Sequence, residues 1–453
     1  MKVRTRFAPS PTGFLHVGGL RTALYNYLFA KQNNGHFILR IEDTDQTRLV
    51  KNAIENLKKT LSICELQFDE EPNKGDRGPY IQSERLHIYK KYYLKLITKS
   101  LAYPCFYKEN SPDILIPEKN VDAALQRIKN EPFVVKFKIK ETQTIIINDG
   151  IRGNIKFDLN LIEDPIIIKS DGYPTYHFAN VIDDYFMKIT HVIRGEEWIP
   201  SLPIHVMLYK AFNWDQPFFF HLPLLLNEDK SKLSKRQGDV AVEDFLSKGY
   251  LKNALINFVA LLGWHPSDNQ EIFSIKELKR EFSLERVNKS GAIFDVKKLN
   301  WMNSFYLKNT SSEELLIDVL KIFKKNKFDF KNEKQQLLKI INYAKERITT
   351  LNEIIDLINQ FNNKPNTYTL IEEFDYKKLF RFWVENLNQL NSINNDVVKE
   401  IISKTKAELN ISGKKLFIPL RYGLINQLHG PDLYTIINIL GITESIERLK
   451  NGI

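Results

Sequence analysis

Residues 3–45 constrain the fold more than any other stretch of this chain. Val3–Ala8 reads as a buried strand that ends in the stiff loop Pro9-Ser10-Pro11-Thr12-Gly13. From about Gly18 a helix follows, with Leu20, Ala23, Leu24, Tyr27 and Leu28 at helical spacing. It stops at Asn33-Asn34-Gly35, residue types that tolerate the left-handed conformation closing many helices. His36–Ile41 then reads as a second strand, whose carboxyl end delivers Glu42, Asp43 and Asp45. Strand, loop, helix and strand in this order open a doubly wound α/β fold. In such folds ligands sit beyond the carboxyl ends of the strands.

The rest of the chain is too long for one core. At 453 residues it exceeds the roughly 250–300 at which a single core stops growing. With 43% hydrophobic and 26% charged residues it is globular rather than disordered. The net charge of +10 suits a polyanionic partner without specifying one. Cys64 and Cys105 are far apart and outside any CxxC spacing, which argues against a disulfide framework or a four-ligand zinc site. MKVRTRFAPSPTG lacks the apolar stretch of a signal peptide, and the apolar run Ala254–Trp264 is too short for a bilayer. The expectation is a cytoplasmic protein with no membrane segment.

From about Ser83 to Thr175 the pattern changes to short strands and turns, with Asn148-Asp149-Gly150 and Arg152-Gly153 as turn signals, and reads as an insertion. The nucleotide fold resumes near Tyr176, with a further strand at Ile189–Ile193. Beyond Arg236 the periodicity is helical, and Lys364-Pro365-Asn366 is the best linker in that half. The expected boundaries are 1–82 and 176–236 for the two halves of the nucleotide fold, 83–175 for the insertion, and 237–311 and 312–453 for helical regions. The last of these is expected to divide near 365. The fold class is therefore multidomain: a Rossmann-like α/β domain with an α+β insertion, followed by all-α domains.

Three clusters carry chemistry. In Pro9–Gly19 the prolines stiffen the backbone, and Gly13, Gly18 and Gly19 let it approach a ligand. The helix it opens offers N–H groups and a positive dipole end to an anion, and His16 at that entrance can donate to a phosphate oxygen. Lys230, Lys232, Lys235 and Arg236 surround Ser234 and suit a loop that closes over a triphosphate. Tyr176 and Asn180, one helical turn apart, share a face, and Arg194 at a strand end can take a carboxylate with two hydrogen bonds. Glu197 and Trp198 suit ribose hydroxyls and packing near an adenosine.

Together these segments resemble one family closely. APSPTGFLHVGG, RIEDTD (Arg40–Asp45), DGYPTYHFANVIDD (Asp171–Asp184), HVIRGEEW (His191–Trp198) and KLSKR (Lys232–Arg236) are similar to the motifs of bacterial-type glutamyl-tRNA synthetases, which are class I aminoacyl-tRNA synthetases. Gly19 stands where many class I enzymes have a second histidine, as is usual in this subfamily. The resemblance covers essentially the whole chain. It implies ligation of L-glutamate to tRNA(Glu) through a glutamyl-adenylate, with ATP and Mg2+. It places Arg6, Ala8, Ser10, Glu42, Tyr176, Asn180 and Arg194 around the amino acid. Around ATP it places His16, Gly18, Gly19, Glu197, Leu225, Lys232, Ser234 and Lys235, with His16, Lys232 and Lys235 catalytic. It implies a monomer, an acceptor-stem-binding insertion, a stem-contact region at 237–311 and an anticodon-binding region at 312–453. Some relatives hold zinc in the insertion through several cysteines; Cys105 stands alone in AYPCFY, so no zinc is expected. Pro419–Gly441 is similar to the family's last helical domain, with Ile425-Asn426 where relatives usually have threonine–glycine. A glutaminyl enzyme is the nearest alternative, but its PEPNG-type loop is replaced here by PSPTG.

Overall fold

The computed structural model describes residues 2–109, 111–139, 144–233, 240–330 and 333–453. They form two compact units, one of residues 1–247 and 252–299, the other of 248–251 and 300–453.

The first unit opens with β1 (Arg4–Phe7), α1 (Val17–Gln32) and β2 (His36–Leu39). β1 and β2 pair in parallel, Arg4 opposite His36 and Phe7 opposite Leu39. β1 is buried at every position although two of its four residues are arginines. Burial at such a cost needs partners, and both have them. The Arg4 guanidinium meets Glu70 with two hydrogen bonds of 2.6 and 2.8 Å, and Arg6 meets Asp184 at 3.1 Å. α1 ends where Asn34 turns left-handed (φ 49°), and Gly35 follows because a Cβ there would lie 2.4 Å from the Val3 carbonyl oxygen.

α2 (Ala53–Ile63) and α3 (Leu86–Thr98) lead into β3 (Ala102–Lys108), β4 (Ser111–Pro117), α4 (Val121–Arg127) and β5 (Phe133–Phe137). With β8 (Ile166–Ile168) these strands make an antiparallel sheet in the order β4-β3-β5-β8. Between β5 and β8 runs the hairpin β6 (Thr144–Asp149) and β7 (Gly153–Asp158). It leaves the inserted sheet and joins the catalytic one. After α5 (Tyr176–Phe186), β9 (His191–Gly195) and α6 (Leu202–Phe212), β10 (Phe218–Leu222) pairs in parallel with β9 and, at Phe219–Asp149, with β6. The β9 side reaches β1 through Thr190, whose N–H donates to Arg4 O at 3.0 Å and whose hydroxyl accepts from Arg4 N at 2.8 Å. Asn26 of α1, fully buried, donates to Ile193 O at 3.0 Å and so ties the helix to β9.

β11 (Leu225–Leu226), α7 (Val242–Ser247), α8 (Lys252–Ala260) and α9 (Ile275–Glu281) follow, and β12 (Ala292–Ile293) returns parallel to β11. The last helix, α10 (Val296–Asn309), begins in this unit and ends in the second.

The second unit is helical. It contains α11 (Ser312–Asn326), α12 (Lys334–Ala344), α13 (Ile354–Asn362), α14 (Tyr376–Asn388), α15 (Asn395–Leu409), α16 (Lys414–Ile425), α17 (Leu433–Leu440) and α18 (Ile442–Lys450). Leu316, Ile340, Phe361, Trp383, Leu420, Ile437 and Leu449 share one apolar core. Buried Asn303 accepts from Leu251 N (2.8 Å) and donates to Thr349 O (2.6 Å), pinning segment 248–251 into this unit. Asn426, at the position where the family resemblance leads one to expect glycine, caps α16 with φ 55° and ψ 39°. Asparagine is the side chain that takes this left-handed state most readily after glycine.

Among the described residues no helix is long and apolar enough to cross a membrane. Cys64 and Cys105 are both buried free thiols.

Candidate active site

The carboxyl ends of β1, β2 and β9 and the start of α5 open onto one cavity of about 730 Å³. Arg6, Ala8, Ser10, Glu42, Tyr176 and Arg194 line it together with Gly18, Gly19, Glu197 and Trp198. The strand-end location follows from the topology: β1 and β9 both point at this place, and the loops leaving them must part there. Backbone bonds fix the floor, Arg40 N to Phe7 O and Glu42 N to Pro9 O, both 3.0 Å.

Beneath the floor lies a buried ion network. Arg40 donates to Asp184 Oδ1 (2.6 Å) and to Glu42 Oε1 (3.0 Å), and Arg6 also bonds Asp184. Arg85 pairs with Asp183 at 2.6 Å, and Tyr89 and Gln82 both donate to the same carboxylate at 2.9 Å. Asn180 does not line the cavity. With its amide oriented as the neighbours require, its oxygen accepts from Arg40 (3.0 Å) and its nitrogen donates to Asp184 (3.2 Å). Burial alone would raise the Asp184 carboxyl, but Arg6 and Arg40 outweigh it and hold it below the usual carboxylate range. For Glu42 burial wins and its pKa is raised, although Arg40 and Arg6 oppose the rise. The arginines here are thus compensated by carboxylates.

Arg194 is held differently. Its Nε donates to His221 Nε2 (3.0 Å), and its Nη1 contacts Tyr176 Oη (3.0 Å) and His205 Nδ1 (3.2 Å). Its Nη2 is buried and has no protein acceptor. Every partner is neutral, so this guanidinium carries an unneutralised charge into the cavity wall. Tyr176 is braced by Trp198, ring centroids 4.0 Å apart, and burial raises its phenol pKa despite Arg194.

The other end of the cavity is built from backbone. His16 caps α1, its Nδ1 accepting from Gly18 N at 3.0 Å, which places the proton of the neutral ring on Nε2. The loop before α1 is stitched to the segment that follows KLSKR: Val17 N donates to Val240 O (2.8 Å) and Val242 N to Leu15 O (2.9 Å). The loop before α1 and the segment from Val240 to Val242 are therefore neighbours. Leu225 lies behind Gly18, 3.8 Å from where a Cβ would stand. Exposed Lys232 forms a β-bridge with Leu226, and Leu233 N donates to Leu225 O (2.9 Å). His16, Leu225 and Lys232 thus flank the cavity without lining it. Ser234, Lys235 and Arg236 lie outside the described residues.

A family described as tRNA synthetases class I (E and Q), catalytic domain, matches residues 2–301, and an anticodon binding domain matches residues 312–453. The chain belongs to the class I tRNA synthetases. Among similar proteins, the glutamate–tRNA ligase of Clostridioides difficile is 41% identical over 499 aligned residues covering 100% of both chains. That of Chloroherpeton thalassium is 42% identical, covering 100% of this chain and 97% of its own. A glutamate tRNA ligase from Elizabethkingia meningosepticum, solved in complex with its amino acid, superposes with a TM-score of 0.89 at 37% identity, over 100% of this chain and 99% of that one.

Several residues of this synthetase site escaped the sequence reading. Arg40 and Asp184 sit inside two of the motifs, and their signal was a charge within an apolar run such as Phe37–Ile41. Asp149 is marked only as a turn residue, and His205 and His221 carry no signal, because only the fold brings these groups together behind Arg194.

Proposed function

We infer that the chain ligates L-glutamate to tRNA(Glu) using ATP, through a glutamyl-adenylate that then passes its acyl group to the 3'-terminal adenosine. The observation that carries this is Arg194, buried in the cavity wall with an unpaired Nη2 and only neutral partners. A substrate carboxylate supplies the missing anion at Nη2, since Nε and Nη1 are already committed to His221, Tyr176 and His205.

In this reading Arg6 and Arg194 receive carboxylates, with Tyr176 donating alongside and Ala8 and Ser10 shaping the wall. Glu42 takes the ammonium, whose charge adds to those of Arg40 and Arg6 in favouring the ionised acid. Asn180 acts from behind through Arg40 and Asp184. Gly18 and Gly19 bring backbone N–H groups to the phosphates, His16 donates from Nε2, and Lys232, Ser234 and Lys235 cover the β- and γ-oxygens. Glu197 faces the ribose, and Leu225 packs beside Gly18 against the nucleotide. The α-carboxylate oxygen attacks the α-phosphorus and pyrophosphate leaves. An adenosine hydroxyl then attacks the acyl carbon and AMP leaves. The protein's work is positioning and charge stabilisation, at about 3 kcal/mol for each well-aimed donor. Mg2+ enters with ATP and offsets charge on the leaving pyrophosphate. With two cysteines in the whole sequence, the insertion lacks the cysteines that a cysteine-rich zinc site needs.

We assign residues 83–175 to the acceptor stem, 237–311 to stem contacts and 312–453 to the anticodon, in a cytoplasmic enzyme acting as a monomer. The deciding experiment charges purified tRNA(Glu) and tRNA(Gln) with labelled glutamate and, separately, glutamine. Glutamyl-tRNA(Glu) is expected; preferential charging of glutamine refutes the assignment. Light scattering of the purified chain, alone and with tRNA, tests the monomer.

A further inference from the structure

Behind Arg194, away from the cavity, stands a chain of groups that no step of the reaction uses. Asp149 and His221 are both buried, on β6 and β10, and neither lines the cavity. Asp149 Oδ2 lies 2.6 Å from His221 Nδ1, and His221 Nε2 lies 3.0 Å from Arg194 Nε. An arginine N–H can only donate. His221 Nε2 must therefore be the acceptor, its proton must sit on Nδ1, and Asp149 must accept it. The 2.6 Å contact would also suit an imidazolium, but Arg194 leaves no room for a proton on Nε2. Burial and the Arg194 charge both disfavour the charged ring, and its pKa is lowered. His205 obeys the same logic: Nδ1 accepts from Arg194, so the proton sits on Nε2, 3.3 Å from His177 Nδ1.

We propose that Asp149 and His221 are positioning residues for amino-acid recognition: they fix one imidazole tautomer, which holds the Arg194 guanidinium in the plane that leaves Nη2 without a protein partner, for the substrate carboxylate. This rests on the assignment of Arg194 as the carboxylate-binding residue. β6 belongs to the sheet of β10 and β9 rather than to the inserted one. Its ladder contact, Phe219–Asp149, is the point that delivers the carboxylate, and Gly150 next to it packs on Phe220 so closely that a Cβ would lie 2.0 Å from the ring.

Asp149→Asn tests the polarity of the relay. Asp149 Oδ1 accepts from Ile151 N (3.0 Å) and Arg152 N (2.8 Å), so the asparagine oxygen stays there and its NH2 faces His221 Nδ1. The imidazole must then flip its tautomer and turn an N–H towards Arg194 Nε. In D149N the KM for glutamate in tRNA-dependent pyrophosphate exchange is expected to rise roughly 10- to 100-fold, the cost of opposed donors in a buried site. The KM for ATP and for tRNA should stay unchanged. His221→Gln keeps an amide where Nε2 stood and can offer its oxygen to Arg194 whatever occupies position 149. H221Q alone should be close to wild type, and D149N/H221Q should recover most of the glutamate KM. A purely structural role for Asp149 in the hairpin turn predicts no such rescue. An unchanged glutamate KM in D149N, or a double variant no better than D149N, overturns the proposal. If D149N does not fold, His221→Leu against H221Q makes the same comparison with the turn intact: only the leucine variant should lose glutamate affinity, and equal kinetics overturn the relay. Arg194→Lys runs in parallel. An unchanged glutamate KM there refutes the underlying assignment, whereas a raised KM in R194K beside an unchanged one in D149N refutes the relay alone.

Discussion

The ends of the cavity proposed for the amino acid and for the phosphates hold their charges in opposite ways. At the first, Arg6, Arg40, Glu42, Asp183 and Asp184 are buried and cross-linked, and Arg194 is oriented by three neutral side chains. At the second, Gly18 and Gly19 contribute backbone, His16 is a helix cap, and Lys232 is exposed on a two-residue bridge. The contrast matches the ligands. An amino acid must be distinguished from near-isosteres, and a fixed charge in a dry site rejects an amide that cannot neutralise it. A triphosphate offers many equivalent oxygens and tolerates point charges on flexible stems.

The same kind of substitution should therefore have unequal effects at the two ends. Arg194→Ala should be the most damaging, because a carboxylate left without its cation in a buried site loses about 3–5 kcal/mol, roughly 150- to 5,000-fold in kcat/KM for glutamate. Equal losses for ATP would break the comparison. Arg6→Ala should cost about 10- to 150-fold in the same parameter, since one charge-assisted bond is lost while Arg194 remains. It should also lower the melting temperature, because Asp184 loses one of its two cations. Wild-type glutamate kinetics would remove Arg6 from the pocket. Lys232→Ala should slow tRNA-dependent pyrophosphate exchange by roughly tenfold, below the 10²- to 10³-fold of a buried donor. The melting temperature should not change, as the side chain is exposed. Loss of stability there would mean that the phosphate end is as interlocked as the other.

The smallest effect is on acid stability. Burial lowers the pKa of His177, His205 and His221, and takes His191 to about 4. Unfolded histidine titrates near 6.5. Below that pH the unfolded chain binds more protons than the folded one, so stability falls as the pH drops towards the folded values. Asp149 and Asp184 are held low and keep their contribution until the pH falls through their own depressed range, so the histidines account for the first loss. Thermal melts from pH 7 to 5 should show a steady decline, reduced in His191→Phe, whose ring fits among Phe29, Phe218 and Phe220. A flat profile would contradict the neutral-histidine account.

The proposed phosphate end is easier to read in the sequence than the proposed amino-acid end. Pro9–Gly19 advertises itself by residue type, and its helix begins at Val17, next to the expected Gly18. Tyr176 and Arg194 were legible because their spacing and strand-end position are local properties. Arg40, Asp183 and Asp184 were not, since a buried charge inside an apolar run looks like a strand exception until its partner arrives. Asp149 read as a turn residue, which it also is; its bond to His221 depends on a register between strands some seventy residues apart. No local pattern encodes that pairing.

The bond from Thr190 N to Arg4 O, like that from Val242 N to Leu15 O, joins parts of the chain made far apart in time. A ribosome adding about 5–20 residues per second needs roughly 10–40 s to pass from residue 4 to residue 190. Through that interval β1 can pair only with β2, and its other edge waits open in the growing chain. An unpaired strand edge is a template for wrong partners. Two of the four residues of that waiting strand are arginines. Arg4 gains Glu70 early, but Arg6 waits for Asp184, and a charge beside an open strand edge discourages pairing with another nascent chain.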